Sequence, residues 1–401
     1  MPEITTPDSG LAAFRQDVHQ LLRRRVLEAM EIVLEEELSE ALGSSRYERS
    51  ESRRGYRNGT EKRTVTTSLG AEEIKIPRGR VQTPDGETTE FQSELLPRYS
   101  RRTQAVDDAV LGVYLAGGNS RRIRKALEPL LGTKHLSKSA VSRVVSRLKN
   151  LFATWSEREL SAEAYPILYL DGIQLKVRLA RRVVSVPVLI ALGADETGRK
   201  RLVAMRLCVS EAAVHWSSLI ADLRQRGLRT PLLIVGDGHK GLQKAASTWP
   251  GARVQRCTVH KLQNLLDHCP VHARPEMKRD YRAIVSANDA MSAKRAHADF
   301  AKKWETLCPS VAKSLLEAGD ELLTYFSFPK AMRKSLRSTN ALENLNREFR
   351  RRTKTQASFP NEDAAVTLLY GLIAFGQIRM RRIDGHRTLA DLIERQADQA
   401  A

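Results

Sequence analysis

Asp171, Asp237 and Glu343 are the residues of this chain whose types and settings could do chemistry together. Asp171 closes the apolar run ILYLD and opens DGIQLKVR. Asp237 closes a second such run, PLLIVGD, and Glu343 lies within STNALENLNREFRRRTK, which reads as a helix. Carboxylates gathered in one place repel one another unless cations neutralise them. Hard oxygen ligands with few histidines favour Mg²⁺ or Mn²⁺ over zinc. Two such ions roughly 4 Å apart can activate a water or a hydroxyl and stabilise a departing oxygen.

Each acid also has a plainer reading. Asp171-Gly172 could be a bulge or turn, although a place between two apolar strand segments suits a hairpin tip poorly. Asp237-Gly238 could be a strand-to-helix turn with the aspartate as cap. Glu343 could pair with Arg347 at i+4, in the favourable orientation. Asp195 and Glu196, in GADETGRK, read as a hairpin turn and are set aside.

Charge points to the substrate class. The 401 residues carry 66 Lys and Arg against 47 Asp and Glu, a net charge of +19. Such a chain attracts polyanions, and its binding should weaken steeply with salt; a basic surface kept only for solubility is the alternative. With 41% hydrophobic residues there is material for two or three domains with true cores. Four cysteines at irregular spacing offer no disulfide framework, which fits a reducing cytosol. The opening MPEITTPDSG is polar and acidic, unlike a signal peptide, and no apolar run approaches the ~20 residues of a membrane span. The expectation is a soluble intracellular protein with no membrane partner.

The elements that must position the acids follow from periodicity. Residues 11 to about 42 predict one long amphipathic helix, with Leu11, Phe14, Val18, Leu21, Leu22, Val26 and Met30 as a stripe and Gly43 as a stop. That stripe must pack within the chain or on a second subunit. Arg and Gly cluster from Arg49 to Gly59, and RTVTT and EEIKIP, split by Leu69-Gly70, read as a hairpin able to meet phosphates. Residues 118 to 152 are a helix-turn-helix candidate. Asn119 or Ser120 caps a helix to Leu131, Gly132 ends it, and Ser137 caps a second helix. Val141, Val144, Val145, Leu148 and Phe152 form its apolar stripe. Lys138, Ser139, Ser142, Arg143, Ser146 and Arg147 form the opposite face, with short hydroxyls and arginines suited to a DNA groove.

From about residue 165 the pattern is α/β. ILYLDGIQLKVR, VVSVPVLIALGAD and RLVAMRLCV predict an antiparallel meander. A helix from Glu211 to about Arg226, the strand PLLIVGD, a helix at HKGLQKAAS and a short strand ARVQRC follow. This is the order of a ribonuclease H-like core, in which the first and fourth strands lie side by side and a late helix brings its glutamate over the same edge. The charged helical stretch from about 258 to 333 reads as an insertion. The expected division is an N-terminal helix (1–45), a basic hairpin region (46–100) and a helix-turn-helix region (101–155). A ribonuclease H-like core follows, in two parts (156–265 and 334–401) around an all-α insertion (266–333).

Around Glu343, Leu342, Leu345 and Phe349 face one way, and Asn340, Glu343, Asn344 and Arg347 another. Arg347, Arg350, Arg351, Arg352 and Lys354 supply a phosphate-binding strip, unless the run is merely solvated. Cys257-x-x-His260 has the spacing of half a zinc site, with His268, Cys269 and His272 nearby, yet no second pair has clean ligand spacing. Packing or positioning beside the active site is the better reading.

At these residues the chain resembles the Mutator-type transposases of bacterial insertion sequences, within the DDE superfamily. The agreeing stretches are GYRNG with a later IPRGR, SKSAVSRV, YLDGIQLKVR, IVGDGHKGL, VQRCTVHKLQN and STNALENLNREFRRRTK followed by SFP. They run in the family's order from about residue 45 to 375. The resemblance implies that Asp171, Asp237 and Glu343 are the catalytic triad, that Cys257 and His260 match the family's C-x-x-H element, and that the helical region before Glu343 is its insertion domain. It also implies a homodimer or higher multimer acting on terminal inverted repeats and on target DNA. Two rival readings stay open: a ribonuclease H-like nuclease without strand transfer, and a non-enzymatic helix-turn-helix regulator that would leave the three acids unexplained.

Overall fold

The computed structural model describes residues 9–83, 85–131, 136–179, 182–208, 210, 212–238, 247–249, 251–353, 359 and 361–400. The chain divides into two units, residues 1–147 and 148–401. The helix expected at HKGLQKAAS lies mostly outside the described residues, as does Gly132.

In the first unit, α1 (Ser9–Leu42) packs on a three-stranded sheet. Its strands are β1 (Gly55–Thr67), β2 (Gly70–Gln82) and β3 (Thr88–Glu90). The hairpin turns where expected, with Thr67 opposite Gly70, but β1 begins at Gly55, upstream of RTVTT, and takes in the last part of the Arg/Gly cluster. One extra β1 residue between Arg57 and Thr60 bulges the strand there.

Leu34, Leu38 and Leu42 of α1 are fully buried, and Leu34 joins Val65, Ile74, Ile76 and Leu96 in one core. Of the stripe that periodicity marks, only Met30 packs on this core, and Val18 and Val26 are exposed. Phe14, Leu21 and Leu22 are 65%, 53% and 50% exposed. Length gives the reason: 34 residues make a helix of about 51 Å, longer than the small sheet beneath it.

Helices α2 (Gln104–Leu115) and α3 (Ser120–Leu131) follow, and α4 (Lys138–Glu157) runs from this unit into the second. Asn119 caps α3 by accepting from the backbone N–H groups of Arg121 and Arg122, and the Ser137 hydroxyl accepts from Ala140 at the start of α4.

The second unit is mixed α/β. Its strands are β4 (Ile167–Leu179), β5 (Arg182–Ala194), β6 (Lys200–Leu207), β7 (Leu233–Gly236) and β8 (Arg253–Arg256). They lie in the order β6-β5-β4-β7-β8. The first three pair antiparallel, and β7 and β8 add in parallel to β4. On one face Leu168, Leu170, Leu189 and Val203 pack against Trp216, Leu219, Ile220 and Leu223 of α5 (Ala213–Gln225).

After β8 come α6 (Thr258–His268), α7 (Arg274–Val285), α8 (Ala290–Leu307), α9 (Pro309–Glu317) and the single turn α10 (Arg333–Leu336). They are tied to the sheet by buried polar groups. The Gln255 amide donates to the carbonyls of Arg256 and Leu322 and accepts from Tyr325 N. Arg256 and Lys261, both almost fully buried, converge on Glu317, each at 2.8 Å. Next comes α11 (Asn340–Thr353), which buries Leu342, Leu345 and Phe349, and then α12 (Glu362–Ala374) and α13 (Leu389–Ala400).

Candidate active site

Asp171 and Asp237 are brought together by strand register. Ile167 pairs with Leu233 in the parallel β4–β7 ladder, an offset of 66 residues (233 − 167), and Leu170 with Gly236. Asp237 follows Asp171 by the same 66 (237 − 171), so one further step of the ladder sets them side by side. The β7–β8 ladder ends with Gly236 opposite Arg256, and the N–H of Cys257 donates to Gly236 O at 2.8 Å. Asp171 on β4 and Asp237 and Cys257, which directly follow β7 and β8, therefore line up along one edge of the sheet. Gly238 is required here by close approach: a side chain on it would overlap the Arg256 guanidinium, which Glu317 holds in place.

Cys257 also sets the helix that carries the third acid. Its sulfur accepts from Thr339 N (3.3 Å) and Thr339 Oγ1 (3.4 Å). The Thr339 carbonyl in turn accepts from Leu342 N and Glu343 N, opening α11. Glu343 thus sits in the first turn, where the helix dipole favours negative charge. Thr339 was missed by sequence reasoning; the hydroxyl in STNALEN just before the helix was the available signal. His260 lies in the first turn of α6, which starts directly after Cys257.

The electrostatics follow from this crowding. Burial pushes the Asp171 carboxyl up to about 6; His260 and the Gly172 N–H, 2.9 Å from Asp171 Oδ1, oppose this, while Asp237 and Glu343 add to it. His260 is raised to about 9, chiefly by its hydrogen bond with Cys257, against burial, with Asp171 and Asp237 contributing. No Lys or Arg forms an ion pair with any of the three acids among the described residues. Partly buried, mutually repelling carboxylates with His260 as the neighbouring cation suit divalent ions bound through oxygen.

The three acids do not by themselves close into one tight set. Among the described residues, the group whose ligand atoms all lie within 4.8 Å of one another is Cys257, His260 and Glu343. The alternative pairing of Glu343 with Arg347 does not form; Arg347 donates to Asn344 instead. Asn340 is exposed at the start of α11.

The basic strip is less free than its composition implied. Arg347 and Arg350 are exposed, but Arg351 and Arg352 both pair with Glu348, and Arg352 also donates to Gln377 O. Lys354 lies outside the described residues. On α4, Lys138, Ser139, Ser142 and Arg143 are exposed, opposite buried Val141, Val144 and Leu148. Arg147 is held by Asp107 at 2.7 Å, which also binds Arg102. Within the first unit a cleft of about 1000 Å³ is lined by Arg63, Arg98, Arg101, Arg102, Arg143 and Arg147. It joins the hairpin to α4, a convergence that no single segment disclosed.

Comparison with known proteins gives the family. The family described as "Transposase, Mutator family" matches residues 8–377. The transposase for insertion sequence element ISRM5 of Rhizobium meliloti is 35% identical over 352 residues, covering 88% of this chain and 86% of that protein. The transposase for insertion sequence element IS406 of Burkholderia multivorans is 36% identical over 354 residues, 86% and 89% of the two chains. The transposase for IS256 in transposon Tn4001 of Staphylococcus aureus is 31% identical over 344 residues, covering 84% and 85%. Among solved structures, the Mos1 strand transfer complex matches 52% of this chain and 77% of its own at 14% identity and a TM-score of 0.16, too distant to inform the site.

Proposed function

The chain belongs to the Mutator family of transposases, and on that premise we propose that Asp171, Asp237 and Glu343 are the catalytic carboxylates of an insertion-sequence transposase with a ribonuclease H-like core. The observation that carries this reading is the row Asp171–Asp237–Cys257, with Cys257 anchoring the helix of Glu343. Asp171 and Asp237 would hold two Mg²⁺ or Mn²⁺ ions, and Glu343 would complete the set. When bound, such ions activate a water and then a 3′-hydroxyl, and stabilise the departing oxygen.

The chain's own residues do the rest. The sheet fixes the two aspartates along one edge, and Thr339 sets the first turn of α11. His260, with its charge favoured by Cys257 and the acids, sits where it offsets the carboxylates before an ion arrives. Arg347 and Arg350, exposed on the same helix, face the phosphates that follow the scissile one. The helices α3 and α4 and the basic cleft of the first unit bind the terminal inverted repeats as a helix-turn-helix region, and the helices between β8 and α11 form an insertion domain. The apolar residues left exposed on α1 favour action as a homodimer or higher multimer.

The test is incubation of purified protein with labelled transposon-end DNA and a target plasmid. Asp171→Ala, Asp237→Ala and Glu343→Ala should each remove cleavage and joining while end binding persists. Joining at the normal rate by Asp237→Ala would defeat the assignment, and cut products without joined ones would indicate a nuclease.

A further inference from the structure

Cys257, His260 and Glu343 each present one ligand atom within 4.8 Å of the other two, although Glu343 lies 83 residues beyond His260 (343 − 260). We propose that these three side chains form a site for a thiophilic divalent cation of the zinc class, distinct from the all-oxygen centre, and that filling it withholds Glu343 from Asp171 and Asp237.

The donor set argues for this ion class. A thiolate, an imidazole and a carboxylate are a zinc-type combination, and three protein ligands leave a fourth position open to water. Thiolate has little affinity for Mg²⁺, so the two sites select different ions by softness. The geometry is close to what is needed. Ligand atoms around tetrahedral zinc lie about 3.5 Å apart, so shifts of about 1 Å at the widest edge close the set.

The surroundings support it. Thr339 N and Oγ1 both point hydrogen bonds at the Cys257 sulfur, the outer-shell arrangement that holds a thiolate ligand in place. Nδ1 of His260 is buried without a hydrogen-bond partner among the described residues. Cys257 is buried, while His260 and Glu343 are partly exposed, so the ion enters from their side.

The sharing of Glu343 has a consequence. One carboxylate cannot serve both centres equally, so occupation of one weakens the other, and the coupling is reciprocal. Binding stands on the cluster alone; the antagonism rests on the proposed role of Glu343.

The experiment titrates the full chain with Co²⁺ and then Zn²⁺ in excess Mg²⁺. Expected are a sulfur-to-cobalt charge-transfer absorption saturating at one equivalent and its displacement by Zn²⁺. Zinc-edge X-ray absorption of the unsubstituted protein should show one sulfur ligand, which needs no variant. Cys257→Ser should abolish the absorption, and Glu343→Gln should weaken binding about tenfold or more. The double variant Asp171→Asn, Asp237→Asn should keep it, whatever becomes of the catalytic assignment. Absence of a sulfur ligand, persistence in Cys257→Ser, or loss in the double aspartate variant would overturn the site. Zinc should also lower end cleavage in Mg²⁺ and a chelator restore it; unchanged cleavage with the site filled would overturn the antagonism.

Discussion

The Cys257 sulfur accepts two hydrogen bonds from Thr339, 82 residues later, and through them the last strand of the sheet fixes the start of the helix carrying Glu343. Thr339→Val keeps the backbone donor and removes the hydroxyl. The loss of one buried hydrogen bond should cost about 1 kcal/mol of stability. Misplacement of Glu343 should lower cleavage by about 10-fold or more, since errors near 1 Å at a catalytic group cost up to about 100-fold. Affinity for end DNA should not change. Cleavage kinetics beside a binding titration check this: equal losses in both would mean general unfolding.

Asp171 gives a prediction of sign. A carboxyl raised by burial from 3.8 to about 6 destabilises the fold once it ionises. The penalty is absent below the unfolded pKa near 4 and complete above about 6, at most about 3 kcal/mol. With divalent ions chelated, Asp171→Asn should therefore raise the melting temperature at pH 7 and leave it unchanged at pH 4. Added Mg²⁺ should stabilise the wild type and not the variant. A variant less stable than wild type at pH 7 without ions would contradict the account.

Much of the second unit was legible because strand patterning encodes it. Three apolar runs without helices between them give the meander, and runs ending in Asp171 and Asp237 give neighbouring parallel strands. What was hidden depends on partners far along the chain. Nothing near Arg147 discloses that Asp107 binds it, and nothing in VQRC or STNALEN discloses that Cys257 meets Thr339. Likewise, periodicity marks the α1 stripe but not how far along the helix the sheet reaches. The start of β1 at Gly55, ahead of RTVTT, was not legible because the strand state of those residues comes from pairing with β2, which outweighs local preference.

Glu317 is one of the polar ties between the sheet and the following helices. Hydrogen bonds from Arg256 and then Lys261 hold its carboxyl at about 2, well below the usual 4.5. Its contribution is full above about 4.5 and is lost as pH falls toward 2. The carboxylate is 46% exposed while its cations are 4% and 2% exposed, so screening reduces the figure and Glu317→Gln should cost about 1–2 kcal/mol at pH 7. Thermal unfolding from pH 7 down to 2 should show the gap between wild type and variant closing. A gap that stayed constant would place the stabilisation elsewhere.

The basic cleft of the first unit separates two arginines that look equivalent in sequence. Arg143 is exposed and has no ion pair among the described residues, whereas Arg147 is ion-paired with Asp107, which it shares with Arg102. Each phosphate that a side chain neutralises contributes about 0.9 to the slope of log affinity against log salt. Arg143→Ala should therefore flatten that slope for end DNA by about 0.9, with weaker binding at low salt. Arg147→Ala should change it much less, because the native ion pair would have to break before the guanidinium met DNA. Titrations at several salt concentrations check this. Equal slope changes for the two would mean that Asp107 releases Arg147 on binding, and an unchanged slope in Arg143→Ala would remove this helix face from the DNA contact.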